Sequence, residues 1–187
     1  ICAVISLTLP GFYIALTTFH QEMIPTLLAY TIVKSKQNVP FPTSTSVLFM
    51  QVAFEILLEA GLRLPKYIGQ AISIIGALVV GQAAVQANLI SPLVVIIIAL
   101  TGMTGFTIPN QDFSNSMRIV RFVLILFSTI AGLYGLSIGL VLIIYHLNTL
   151  DTFGVPYLSP FVASEGKGIA KDTIIRMPLF LMKKRPV

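Results

Sequence analysis

The chain has 187 residues, of which 56% are hydrophobic and only 10% are charged, and its mean hydropathy is +0.91. Soluble domains carry about a quarter charged residues, and a small domain leaves much of its surface in water, so this composition excludes a soluble globular fold. The lone Cys2 excludes a disulfide framework, and with no Cys/His cluster in the sequence we predict neither a metal nor a cofactor.

The formal net charge of +5 comes largely from the C-terminal tail, so we expect no nucleic-acid partner. The chain begins at Ile1 inside an apolar run that has no basic region before it, which argues against a signal peptide. We therefore interpret the sequence as the continuation of a longer chain.

The first apolar stretch, residues 1–19, is long enough to be the end of a spanning helix, and its Pro10-Gly11 pair is tolerated in membranes. Residues 24–33 predict an amphipathic helix in the interface plane. Pro40 and Pro42 then separate this helix from the next element.

Residues 45–60 predict a helix with a polar stripe, because its polar side chains recur every four residues. The stripe consists of Gln51, Glu55, Glu59 and Arg63. Carboxylates at membrane depth indicate a cation path. Alternatively, they meet water at the interface and pair with Arg63 and Lys66, or they hold subunits together.

Residues 68–89 predict a spanning helix with two distinctive faces. One face is a narrow seam, apolar in its first half and amide in its second: Ile72, Ile75, Val79, Gln82 and Gln86. A ring of such seams would line a pore with an apolar gate and neutral polar rings. The same spacing also suits helix packing, with the glutamines bonded to neighbours.

Small residues predict close helix contacts at two places. One row is Gly69, Ser73, Ala77 and Gly81, and the other is Gly132, Gly135 and Gly139. The second row includes a G-x-S-x-G pattern around Ser137, but a hydrolase needs a strand before that serine. Here the serine lies within an apolar helix, so we predict no catalytic residues and no enzyme.

The remaining elements are a short helix over 92–106, a loop or helix start over 107–116, and a spanning helix over 122–147. Arg118 and Arg121 are expected at the interface or paired with Asp112. The predicted fold is thus all-α and polytopic, with about four spanning helices plus an amphipathic or re-entrant helix. Residues 1–147 form the transmembrane domain and 148–187 a partly irregular cytoplasmic tail.

The C-terminus is placed in the cytoplasm because Lys183-Lys184-Arg185 is the densest basic cluster. Six further basic residues then mostly face outward, which fits the positive-inside rule poorly.

Several strings resemble one family across nearly the whole chain. They include residues 15–25 (ALTTFHQEMIP), 54–65 (FEILLEAGLRLP), 76–87 (GALVVGQAAVQA) and 153–160 (FGVPYLSP). In order and spacing the chain resembles the A subunit of the GerA-type spore germinant receptors.

The resemblance implies a homo-oligomer in the inner membrane of the bacterial spore, forming a nutrient-gated ion channel. Its implied partners are membrane lipid, a transporter-like B subunit and a C lipoprotein, and a soluble N-terminal region would precede this segment. Two alternatives stay open: a non-conducting scaffold that couples the receptor subunits, and a secondary transporter, although the halves of the chain show no internal symmetry.

Overall fold

The computed structural model describes residues 1–63, 65, 76, 79–152 and 155–157. Apart from one short strand pair, the regular structure in these ranges is helical. The α-helices are α1 (Cys2–Thr18), α2 (Thr26–Lys36), α3 (Thr43–Arg63), α4 (Pro92–Phe106) and α5 (Gln111–Thr149), and residues 79–86 are also helical. A 3₁₀ turn, Gln21–Met23, follows α1.

The chain forms two compact units, Ile1–Gly139 and Leu140–Val187. In the second unit the described residues are the end of α5 and two antiparallel strands, β1 (Asp151–Thr152) and β2 (Val155–Pro156), with Thr152 opposite Val155. The predicted division at residues 147 and 148 stays a prediction.

The core of the first unit lies around α4, which packs against α1 and α3. Val94, Ile98, Thr101 and Gly102 are buried on one side of α4, spaced as a single helical face. Opposite them lie Ile14 of α1, Val47 and Met50 of α3, and Ile125 of α5. The helix predicted over 92–106 is confirmed.

Local signals explain where several helices begin and end. The Oδ1 atom of Asn110 accepts hydrogen bonds from the backbone N–H groups of Asp112 and Phe113, at 2.9 and 3.2 Å, and thereby caps α5. Asn88 adopts the left-handed conformation, φ +55°, just after the helical residues 79–86. The N–H groups of Leu89 and Ile90 then bond back to the carbonyl of Ala84, which closes that helix end.

Among the residues that the structure describes, two segments are long and apolar enough to cross a membrane, Thr43–Gly61 and Asp112–Thr149, the second of which contains a backbone break at Gly132. Only 22% and 28% of their most apolar windows are buried inside the protein. The core helix of a soluble protein would be mostly buried, whereas these present large apolar side chains such as Ile56, Ile119 and Ile130 to the surroundings.

The prediction of one uninterrupted helix over 122–147 is wrong, because the backbone leaves the helical conformation at Gly132, with φ +60° and ψ −134°. After the break the chain folds back. A Cβ built on Gly139 would lie 2.5 Å from the Leu124 side chain, although a straight helix would separate these residues by about 22 Å. Only glycine adopts this backbone conformation cheaply, so Gly132 permits a reversal that hydropathy does not reveal.

Candidate functional site

The three described residues of the predicted pore seam face away from the core of their own unit. Val79 is 54% exposed, and Gln82 and Gln86 are exposed as well. Gly81 and Ala84, on the opposite side of the same helical turns, are buried. The other two seam residues, Ile72 and Ile75, lie outside the described residues.

The predicted polar stripe on α3 passes through three different environments. Gln51 is fully buried, Glu55 is partly buried, and Glu59 and Arg63 are exposed. A spacing of four residues advances about 40° around a helix of 3.6 residues per turn, so the stripe turns from the core towards the outside. Glu59 and Arg63 form an ion pair at 2.7 Å within the helix. Lys66, the other partner considered for the carboxylates, lies outside the described residues.

Glu55 instead joins two helices. Its Oε1 atom accepts a hydrogen bond from Nη1 of Arg118 on α5, at 2.8 Å, across 63 residues of sequence. The two side chains are only 27% and 13% exposed, so water screens this pair weakly. The predicted pairing of Arg118 with Asp112 is wrong, because α3 brings the Glu55 carboxylate to it; its predicted position at the membrane interface stays a prediction.

Arg121, one turn further along α5, is 3% exposed. Its Nη2 atom donates a hydrogen bond to the hydroxyl of Ser6 on α1, at 2.6 Å. A Cβ on Gly105 would lie 3.5 Å from that hydroxyl and 3.7 Å from Nη2, both ordinary van der Waals distances, so α4 packs directly against this pair. Arg121 is therefore a buried cation that pairs with Ser6 and not with Asp112, and its predicted position at the membrane interface stays a prediction.

We call Ser6, Glu55, Arg118 and Arg121 the charge cluster. It ties α1, α3 and α5 together, and its two guanidinium groups outnumber its single carboxylate. Within the described residues, Oε2 of Glu55 and Nε of Arg121 are buried without a hydrogen-bond partner. The cluster therefore retains unused hydrogen-bonding capacity in a region where unpaired polar groups are costly.

Sequence reasoning recognised Glu55 but missed the roles of Arg121 and Ser6. Arg118 and Arg121 stand three residues apart, a spacing that places both on one side of α5. Their partners, however, come from helices more than 60 residues away, which no local pattern identifies.

Of the small residues predicted to support close contacts, four can be placed. A Cβ on Gly81 would lie 3.2 Å from the Val95 side chain. On Gly135 it would overlap the carbonyl oxygen of Phe127, while Gly132 and Gly139 lie against Phe19 and Leu124. Gly69, Ser73 and Ala77 lie outside the described residues.

The G-x-S-x-G serine has a structural partner. The hydroxyl of Ser137 donates to the carbonyl oxygen of Tyr134 at 2.8 Å, one turn earlier in the helix. No strand precedes Ser137 in the described chain, so the geometry of a hydrolase nucleophile is not present there. Within the same ranges, no three His, Cys, Asp or Glu side chains cluster as metal ligands.

Comparison with known proteins decides the family. The family model described as Bacillus/Clostridium GerA spore germination protein matches residues 1–187. The chain belongs to the GerA family. The exposed apolar helices together with this membership indicate a membrane protein of the germinant receptor family.

Three relatives illustrate how the GerA chain compares. Spore germination protein KA of Bacillus subtilis (strain 168) is 50% identical over 97% of this chain and 33% of its own length. The uncharacterized membrane protein YfkQ of the same strain is 43% identical over 97% of this chain and 35% of its own. Spore germination protein GerLA of Bacillus cereus is 41% identical over 98% of this chain and 37% of its own length. The chain thus spans about a third of the curated relatives it matches, and no solved structure matches it.

Proposed function

We propose that this GerA chain is the membrane part of a germinant receptor subunit that oligomerises into a nutrient-gated ion channel in the inner membrane of the spore. Gated ion release would trigger germination without covalent chemistry. The proposal includes about four spanning helices, α2 lying in the interface plane, a cytoplasmic C-terminus, and association with a transporter-like B subunit and a C lipoprotein.

The observation that carries the proposal is the exposed face of residues 79–86. Val79, Gln82 and Gln86 lie about one turn apart on that face and pack against no core of their own unit. Glutamine amides are costly to leave in hydrocarbon. A water-filled axis shared by several copies would solvate the two glutamines, and a ring of Val79 side chains would gate it by dewetting.

Substitutions of Val79 test the pore. Val79→Ala removes two methyl-sized groups from the ring, about 1.6 kcal/mol of apolar contact per subunit, so we expect resting ion leak to rise at least tenfold. Val79→Phe narrows the ring, and we expect conductance to fall and germination to slow. Flux from liposomes carrying the full-length receptor measures both.

Val4 supplies the matched control, because it is similarly exposed but lies on α1. Val4→Ala and Val4→Phe are expected to leave flux and germination unchanged. Unaltered flux in both Val79 variants, in receptors that assemble normally, would refute the pore assignment. Native mass spectrometry of the full-length protein gives the subunit number, and a strict monomer would leave no shared axis.

A non-conducting coupling subunit is the second candidate, and the charge cluster favours it. Ion pairs that bridge helices can hold one of two alternative packings and so transmit a signal between subunits. Under this alternative, Glu55→Gln changes the germination response while liposomes containing the receptor show no nutrient-dependent flux.

A secondary transporter would share the break at Gly132, since transporters bind substrate at discontinuous helices. In this chain the break packs against the Phe19 side chain, with a hypothetical Cβ at 2.9 Å, rather than opening onto a cavity. The transporter therefore ranks below the channel and the coupling subunit.

A further inference from the structure

A cavity of about 320 Å³ lies between the C-terminal end of α1 and the helix α2. Its walls are mixed: Ile24, Ile32 and Val33 supply apolar surface, and Gln21 and Lys36 supply polar groups. This volume is at the lower end of the range for small-molecule sites, which are mostly apolar with a few placed polar groups.

Lys36 is the charged group of this cavity. Its Nζ atom donates to the hydroxyl of Thr43, which leaves further N–H donors of the ammonium group available. Within the described residues no carboxylate lies at ion-pair distance from it, since both ion pairs found there involve arginine. Partial burial lowers the pKa of Lys36 below its ordinary 10.5, because the charged form loses hydration. An anion entering the cavity would restore that lost stabilisation.

We propose that this cavity binds an anionic group attached to an apolar body, with Lys36 contacting the anion and Ile32 and Val33 contacting the apolar part. Two sources share this chemistry: the phosphate of an anionic phospholipid, and a small free carboxylate with an apolar chain. The inference requires α2 at the membrane surface, but it does not depend on ion conduction.

Lys36→Gln tests the site against Lys34→Gln, which removes an exposed lysine two residues earlier on the same helix. In nanodiscs of the full-length protein, native mass spectrometry counts retained phosphatidylglycerol against phosphatidylcholine. In phosphatidylcholine alone, a thermal-shift titration with hexanoate probes the free carboxylate. We expect Lys36→Gln to weaken binding about tenfold, the loss of one charge-assisted hydrogen bond, and Lys34→Gln to leave it unchanged.

Lys36→Arg keeps the charge and is expected to retain binding, which separates charge loss from misfolding. Selective loss of phosphatidylglycerol identifies the lipid source, and selective loss of the hexanoate shift identifies the free carboxylate. Equal binding by wild type, Lys36→Gln and Lys34→Gln in both assays overturns the proposal. These readouts are independent of flux, so a failure of the channel proposal leaves the inference standing.

The site also predicts a pH dependence. Binding requires protonated Lys36, and because its pKa is lowered, Lys36 loses its proton at a lower pH than a surface lysine does. Affinity should therefore decline as pH rises towards that lowered pKa, at a lower pH than for an exposed lysine. In Lys36→Arg the decline should disappear, because arginine stays charged throughout.

Discussion

Replacing Gly135 by alanine distinguishes a folded-back α5 from a straight one, because the two geometries predict opposite signs. In a continuous helix, Gly→Ala stabilises by roughly 0.5–1 kcal/mol, since alanine loses less backbone entropy. In this structure the new Cβ would overlap the carbonyl oxygen of Phe127 and lie 2.7 Å from its carbonyl carbon. Backbone atoms cannot move aside without shifting the whole helix.

We therefore expect Gly135→Ala to destabilise the protein by about 1–3 kcal/mol, the usual cost of overpacking a tight contact. Gly139→Ala is the matched variant, because its Cβ would meet side-chain atoms and not backbone: the tip of Leu124 at 2.5 Å and Phe127 at 3.8 Å. We expect that variant to cost less than Gly135→Ala, since the tip of a side chain shifts more easily than the backbone does.

Reversible unfolding of the full-length protein in mixed micelles, followed by near-UV circular dichroism, measures both differences. A direct distance test uses a cysteine pair, Leu124→Cys with Gly139→Cys, after Cys2→Ser removes the native thiol. The fold-back brings the pair within cross-linking reach, whereas a straight helix holds it about 22 Å apart. A stabilised Gly135→Ala together with no cross-link would refute the reversal at Gly132.

Two further predictions concern ion pairing and capping. Breaking the interhelical pair with Glu55→Gln or Arg118→Gln should lower the free energy of unfolding by about 3–5 kcal/mol, because each leaves a partly buried charge without its partner, and the double variant should lose less than the sum. Glu59→Gln in the exposed pair with Arg63 should lose under about 1 kcal/mol. Equal losses in all three single variants would contradict the assigned burial. Asn110→Ala should cost about 1 kcal/mol and increase hydrogen exchange in the first turn of α5, while Asn110→Asp should preserve both, and unchanged exchange in the alanine variant would argue against the cap.

Much of the architecture was predictable because the signals are local. The helix predicted over 92–106 begins at Pro92, because proline is favoured in the first turn of a helix, and it ends where the apolar run ends. The predicted bounds therefore agree with the structure. The predicted helix over 45–60 lies within α3, and the predicted helix over 24–33 largely overlaps α2. Each of these depends on residues a few positions apart, which a sequence displays directly.

The reversal at Gly132 shows where such signals end. Gly132, Gly135 and Gly139 lie in an apolar run with no charged residue and no proline, so hydropathy favours one continuous helix. Glycine spacing indicates close packing, but it does not say whether the partner is another helix or the preceding half of the same one. Tertiary contacts decide which partner it is: Gly132 lies against Phe19, and Gly139 lies against Leu124.

The all-α class, the apolar surface and the family could be predicted from the sequence, because composition and the order of the family-like strings are properties of the chain alone. Only the tertiary structure decided that Glu55 belongs with Arg118, that Arg121 is buried against Ser6, and that Lys36 lines a cavity. The physical reason is distance along the chain: these groups meet because packed helices bring remote segments together, and burial then decides which charges must find partners.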